Sequence, residues 1–264
     1  MFPLLPFPSQ REVIAFVLVL TRVAGIFAAL PVFGGQRLPL QIRVVAVLMI
    51  TLVTFPSLAV IPPVMPPDAF ALGMLVLCEM AIGLALAFIA QIVFSAVEFG
   101  GQIVGMQMGL TISQIIDPTR GSQVQIMSVL QTLFATLVFL SLNIHHMFIR
   151  AIVDSFHIIP IGGWHLNEEI TTFLVKRAMD VFVIGIRLAA PVMVSLLLTS
   201  VALGVMARAF PQMNIFMISL PLNIGIGFVV LGATLMVYIH VLEVSFGQVK
   251  GQIDTLFRLM TKGG

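Results

Sequence analysis

Apolar residues gather in six long blocks, over residues 13–33, 44–61, 69–97, 124–149, 181–206 and 211–242, with short polar breaks between them. A helix of about 20 apolar residues crosses the hydrocarbon core of a bilayer, and each block is long enough for that. Helices are the open-ended structure that satisfies backbone N–H and C=O groups in lipid. The pattern therefore predicts an all-α chain of about six apolar helices. Pro56, Pro191 and Pro221 lie inside three blocks and are expected to kink them, because proline removes an intrahelical hydrogen bond. Residues 150–180 are the longest polar stretch and read as a loop, with Trp164, His157 and His165 as an interfacial anchor. The tail SFGQVKGQIDTLFRLMTKGG alternates at roughly helical spacing, which predicts a helix lying on the membrane surface or docked on a partner helix. With no internal repeat and no low-complexity linker, the chain reads as one domain.

Composition sharpens this picture. Of 264 residues, 59% are hydrophobic and 9% charged, and the mean hydropathy is +1.14. Soluble domains carry about 25% charged residues, so this is an integral membrane protein. Its basic residues are scattered and its net charge is only +2, which argues against a nucleic-acid surface. The single cysteine, Cys78, excludes an intrachain disulfide and a cysteine-rich metal site, and reads as a small buried apolar residue. The start MFPLLPFPSQRE lacks the charged region and small-residue cleavage site of a signal peptide, so insertion through the chain's own helices is expected. A modest excess of basic residues on one side of six spans would place both termini in the cytoplasm.

Charged residues inside the blocks are the first candidate chemistry. Arg22, Glu79 and Arg187 interrupt the first, third and fifth. A charge at the centre of a lone membrane helix costs about 2.5–3.5 kcal/mol on insertion scales, so each must face protein, water or another charge. Two readings follow: a conduit lined by polar groups, or helix-to-helix pairing such as an arginine with Glu79. The second candidate is EFGGQIVGMQMGLTISQIIDPTRGSQ, residues 98–123. Gly101, Gly105 and Gly109 recur every fourth residue and form a bare stripe for close helix packing. Met106 and Met108 flank the stripe with adaptable side chains, and Asp117, Pro118 and Gly121 break the helix. The stretch is too polar to face lipid and too apolar for a solvated loop; it suits a segment inside a membrane assembly, at a pore.

Catalytic chemistry has no foothold in these residues. There is no phosphate-binding Gly-x4-Gly-Lys-Ser/Thr loop. His145 and His146 are adjacent, about 100° apart on a helix, and cannot chelate one ion from one face. His240 is a lone histidine in an apolar helix, and Glu168 with Glu169 reads as a helix start or solvated loop. The expectation is a non-enzyme without metal or cofactor. A small secondary transporter would explain broken helices and intramembrane charge, but the two halves show no matching interrupted segments. A subunit of a larger channel or translocation complex accounts for the glycines, charges and prolines together.

Three stretches carry a family resemblance: GQIVGMQMG with the following Asp-Pro and Gly turn; IRLAAP at residues 186–191; and ALGVMARAFPQMNIFMISLP at residues 202–221. In order and spacing the chain resembles the FliR-like membrane proteins of the type III secretion export gate, which have flagellar and virulence branches. The resemblance covers essentially the whole chain and looks flagellar. It implies a bacterial inner membrane protein of the flagellar basal body, its kinked helices arranged as hairpins in a helical export-gate assembly. Residues 1–178 would correspond to FliP-like helices and residues 179–264 to a FliQ-like hairpin with its tail. One copy would complete, with FliP-like and FliQ-like subunits, a channel for unfolded exported proteins in contact with membrane lipid. Gly105, Met106, Gln107, Met108, Gly109, Asp117, Pro118 and Gly121 would belong to a plug in its lumen, and Arg22, Glu79 and Arg187 to subunit contacts. The turn with Arg208, Pro211, Gln212 and Asn214 would lie at the cytoplasmic entrance near an FlhB-like subunit. That placement puts the termini on the periplasmic side, against the charge count.

Overall fold

The computed structural model describes residues 10–30, 39–58, 66–111, 126–163, 167–212 and 214–261. Among these the chain is all-α, with eight helices: α1 Gln10–Ala29, α2 Leu40–Leu58, α3 Ala69–Gln107, α4 Ile126–Ser141, α5 Ile144–Ile158, α6 Glu168–Ala209, α7 Ile215–Ala233 and α8 Leu235–Thr261. Three helices, α1, α3 and α6, are each long and apolar enough to cross a membrane, and up to five spans result if the bent pairs α4–α5 and α7–α8 each count as one. The fourth and sixth apolar blocks are thus broken helices rather than single ones. The second, α2, is apolar over the shorter stretch Leu40–Pro56.

The sharp bends do not fall at prolines. Pro56, Pro191 and Pro221 each lie inside a continuous helix. The 64° bend between α4 and α5 instead turns on Asn143, which adopts the left-handed conformation at φ 54°, a region asparagine tolerates better than most residues. The 60° bend between α7 and α8 turns on Thr234, whose hydroxyl donates to the Val230 carbonyl at 2.8 Å. The expected loop over residues 150–180 is mostly helix: α5 runs to Ile158 and α6 begins at Glu168. Trp164 and His165 lie outside the described residues.

By spatial clustering the chain divides into two units. One gathers Met1–Gln91, Asn143–Arg177 and Gln248–Gly264; the other gathers Ile92–Leu142 and Ala178–Gly247. In the first unit, α1 buries Ala15, Leu18, Val19, Arg22, Val23 and Ile26, a stripe at helical period. α2 packs on α1 and α5, and Phe16 meets Phe55 edge-on, ring centroids 5.5 Å apart. Backbones of α1 and α3 nearly touch at Gly25 and Gly83: a Cβ on Gly83 would sit 2.3 Å from the Arg22 carbonyl oxygen and 3.1 Å from Gly25 Cα. The tail beyond residue 248 continues α8 and buries Val249, Ile253, Leu256, Phe257 and Met260, so its apolar face is covered by the chain itself.

The second unit closes in the same way. Gly100 of α3 crosses Gly185 of α6, where a Cβ on Gly100 would lie 2.8 Å from the Gly185 carbonyl oxygen. Phe94, Phe139 and Phe246 form a triangle of rings with centroids 5.5–5.6 Å apart. A second cluster joins Val104, Met108 and Met127 to Ala189, Val192 and Leu196.

The α1–α3 crossing can be tested. Gly83→Ala should lower the melting temperature of the detergent-purified chain, because the added methyl must separate two backbones. Gly73→Ala, on the same helix with nothing within 4 Å of its Cβ, should leave it unchanged or raise it, alanine being better in a helix by about 1 kcal/mol.

Candidate functional site

The sequence-marked residues gather at two places: the ion pair buried in the first unit, and the end of α3 in the second. Arg22 lies on the buried stripe of α1, one turn before Gly25, and Glu79 lies one turn before Gly83 on α3. The glycine contact brings the two backbones so close that their long side chains meet. Arg22 Nε donates to Glu79 Oε2 at 2.6 Å, and both side chains are fully buried. The guanidinium then reaches the C-terminal end of α5. Its Nη1 donates to the Ser155 carbonyl at 2.9 Å and the Ile159 carbonyl at 3.1 Å, and its Nη2 donates to Ile159 at 3.1 Å. Helix ends leave carbonyls without intrahelical partners and carry partial negative charge, so a cation is favoured there. Phe156 lies under the guanidinium, 4.1 Å from ring centroid to Cζ. Past the helix, Gly162 at φ 75° turns its N–H to Glu79 Oε1 at 3.3 Å.

Arg22 and Glu79, expected at subunit contacts, therefore find their partners within the chain. The arrangement can hold three helices and a turn in register; with every strong donor and acceptor directed at protein, it offers no open position for a reacting group. Arg187, expected to be buried with them, is exposed on α6. Cys78, expected to be buried, is only half-buried.

At the end of α3 the sequence-marked residues separate into different roles. Gly101 is a close-packing position: a Cβ there would lie 2.5 Å from Ser128 Cα of α4. Gly105 is looser, 3.4 Å from Met127 Cβ. Gly109 terminates the helix at φ 79°. Its N–H donates to the Met106 carbonyl and the N–H of Leu110 to the Gly105 carbonyl, both at 3.1 Å. That paired pattern around a left-handed glycine is a Schellman motif. Met108 points inward, fully buried, with its side chain over Gly227 of α7: Cγ, Sδ and Cε all lie within 2.8 Å of where a Cβ on Gly227 would be. Met106 and Gln107 are exposed. Asp117, Pro118 and Gly121 lie outside the described residues.

The turn between α6 and α7 leaves Arg208, Pro211, Gln212 and Asn214 exposed. Among the described residues no group of three histidine, cysteine, aspartate or glutamate side chains could hold a metal ion. Gly25, Gly83, Gly185 and Gly227 were not singled out from the sequence. Each lies in an apolar block without the every-fourth-residue spacing of 101, 105 and 109, and only the chain crossing it shows why it is glycine.

The ion pair makes a quantitative prediction. Arg22→Met or Glu79→Met alone should destabilise the chain by about 3–5 kcal/mol, since each leaves an uncompensated buried charge. The double variant should recover much of that loss. Thermal unfolding of the three purified variants checks both statements.

Comparison with known proteins places these features in a family. Residues 13–249 match the family described as bacterial export proteins, family 1. The chain is 33% identical over 220 residues to the flagellar biosynthetic protein FliR of Bacillus subtilis, covering 82% of this chain and 84% of that one. It is 33% identical over 214 residues to the FliR of Escherichia coli, covering 81% of each, and 30% identical over 230 residues to that of Caulobacter vibrioides, covering 87% and 91%. The chain is a membrane protein that belongs to bacterial export protein family 1, together with the flagellar biosynthetic proteins FliR.

Proposed function

We propose that this chain is the single-copy FliR-like subunit of a flagellar type III export gate in the bacterial inner membrane. It forms, with FliP-like and FliQ-like subunits, the channel through which unfolded flagellar proteins leave the cell. The observation that carries this reading is the match to the export family along residues 13–249. Two physical features support it. First, α3 and α6, with 39 and 42 residues, are about 58 and 63 Å long at 1.5 Å per residue, roughly twice the hydrocarbon thickness of a bilayer. Helices of that length need protein neighbours beyond the lipid. Second, apolar side chains stay exposed over the first half of α3, including Phe70, Met74 and Leu77, and along most of α6, including Met179, Phe182 and Val183.

Within this reading the channel is closed by a plug that begins at Gly105 and takes in Met106, Gln107, Met108, Gly109, Asp117, Pro118 and Gly121. Met108 would root it in the chain's own core, while Met106 and Gln107 remain available to face the lumen. Arg187 would serve at a contact with a neighbour. Arg208, Pro211, Gln212 and Asn214 would face an FlhB-like subunit at the cytoplasmic entrance. Transport is non-catalytic, with energy supplied by other components.

Two measurements test the proposal. Purification of tagged chain from detergent-solubilised membranes, with the mass of the intact complex, should return a large assembly containing FliP-like and FliQ-like proteins; a stable monomer binding a small solute would overturn it. Gly109→Leu places a side chain in a left-handed position at a cost of about 1–2 kcal/mol, and should raise ion leak or reduce export and assembly. Unchanged assembly, leak and export in that variant would remove the plug assignment.

A further inference from the structure

The last turns of α8 are a strap with one polar attachment. Val249, Ile253, Leu256, Phe257 and Met260 are buried at helical spacing, while Lys250, Asp254 and Arg258 on the other side are exposed. Such a face docks by apolar burial, which is non-directional and fixes no register by itself. The attachment is Asn167, the residue before α6. Its Oδ1 accepts from the Ile170 N–H at 2.8 Å. Its Nδ2 donates to the Leu259 carbonyl at 3.2 Å, across 92 positions of sequence.

Asn167 thus serves two helix ends at once. The Ile170 N–H is among the first donors of α6 and the Leu259 carbonyl among the last acceptors of α8, and both kinds of group lack partners within their own helix. A side-chain amide offers an acceptor and a donor together, whereas an ionised carboxylate only accepts. The tail hydroxyls turn inward on α8 itself: Thr255 donates to the Gly251 carbonyl and Thr261 to the Arg258 carbonyl. Among the described residues, Asn167 to Leu259 is therefore the one hydrogen bond that ties residues 248–261 to another element.

Two features make the docked strap easy to lift. A cleft of about 240 Å³ is lined by Ile158 at the end of α5 and by Asp254, Phe257, Arg258 and Thr261, so the atoms along it forgo dispersion contacts. Gly247 and Gly251 stand at the root of the strap, and glycine is a weak helix former.

We propose that residues 248–261 are a releasable strap and that Asn167 is its clasp. With the bond to Leu259 made, the strap lies docked; with it broken, the last turns lift and fray while α6 keeps its cap. The inference stands on contacts within the first unit and does not rest on the channel reading.

Hydrogen–deuterium exchange read by mass spectrometry tests it on the chain purified in detergent with its co-purifying subunits. Asn167→Asp and Asn167→Ser keep an acceptor that caps α6 and remove the amide donor to Leu259; Asn167→Ala removes both. Exchange over residues 250–261 should quicken about fivefold in all three, as expected for the loss of one net hydrogen bond. Over the first turn of α6 it should quicken only in Asn167→Ala. Unchanged exchange over 250–261 in the Asp and Ser variants would overturn the clasp, and release in Asn167→Asp alone would assign it to added charge and overturn it too. Quickening spread evenly over α1, α3 and α8 would show a loss of global stability and overturn the strap.

Discussion

A charged pair without water organises the first unit. Moving an arginine and a glutamate out of solvent costs several kcal/mol each, recovered only when geometry is good and the remaining donors and acceptors are met. Arg22 and Glu79 meet that condition through five partners on three helices and a turn: each other, the Ser155 and Ile159 carbonyls, the Gly162 N–H and the Phe156 ring. None of these contacts tolerates a register shift. A slide of one helical turn on α1 would carry Arg22 about 5.4 Å from a hydrogen bond 2.6 Å long. In an interior where apolar packing alone is permissive about register, the pair selects one alignment.

Glycines make that alignment reachable. Gly25 against Gly83 brings α1 and α3 close enough for the two side chains to meet, and Gly100 against Gly185 does the same for α3 and α6 in the second unit. Where lipid removes the hydrophobic drive between helices, close backbone approach and its dispersion energy replace it. The end of α3 uses glycine differently. Gly109 is needed for its left-handed conformation rather than its size, and it allows the chain to leave the helix with Met108 held against Gly227. One glycine-rich stretch thus carries a close-packing position, a looser one and a helix stop.

Much of this was legible in advance. The all-helical class followed from apolar runs whose backbone has no other way to be satisfied in lipid, and the export family from three ordered stretches. That Arg22 needs a partner was legible too, since a charge in an apolar helix cannot face lipid; the buried stripe it shares with Ala15, Leu18, Val19 and Ile26 emerged only in the structure. Other features were not legible. Asn143 and Thr234 carry the bends although prolines are the usual signal, because a bend depends on what the flanking helices pack against. The polar stretch over 150–180 turned out helical because Phe156 and Ile170 are buried, a burial that spacing within a loop-like composition does not reveal.

From its sequence alone this protein is a helical membrane protein with charges that require partners. Those conclusions rest on transfer energies and hydrogen-bond satisfaction, which are properties of single residues and short windows. The identity of the partners rests on contacts between residues far apart in the chain. Arg22 and Glu79 are 57 positions apart, and Arg22 and Ile159 are 137. No local pattern encodes which carbonyl a guanidinium will reach, or which glycine a neighbouring backbone will cross. Tertiary structure decided these, because only there do close approach and the exclusion of water act on the same groups at once.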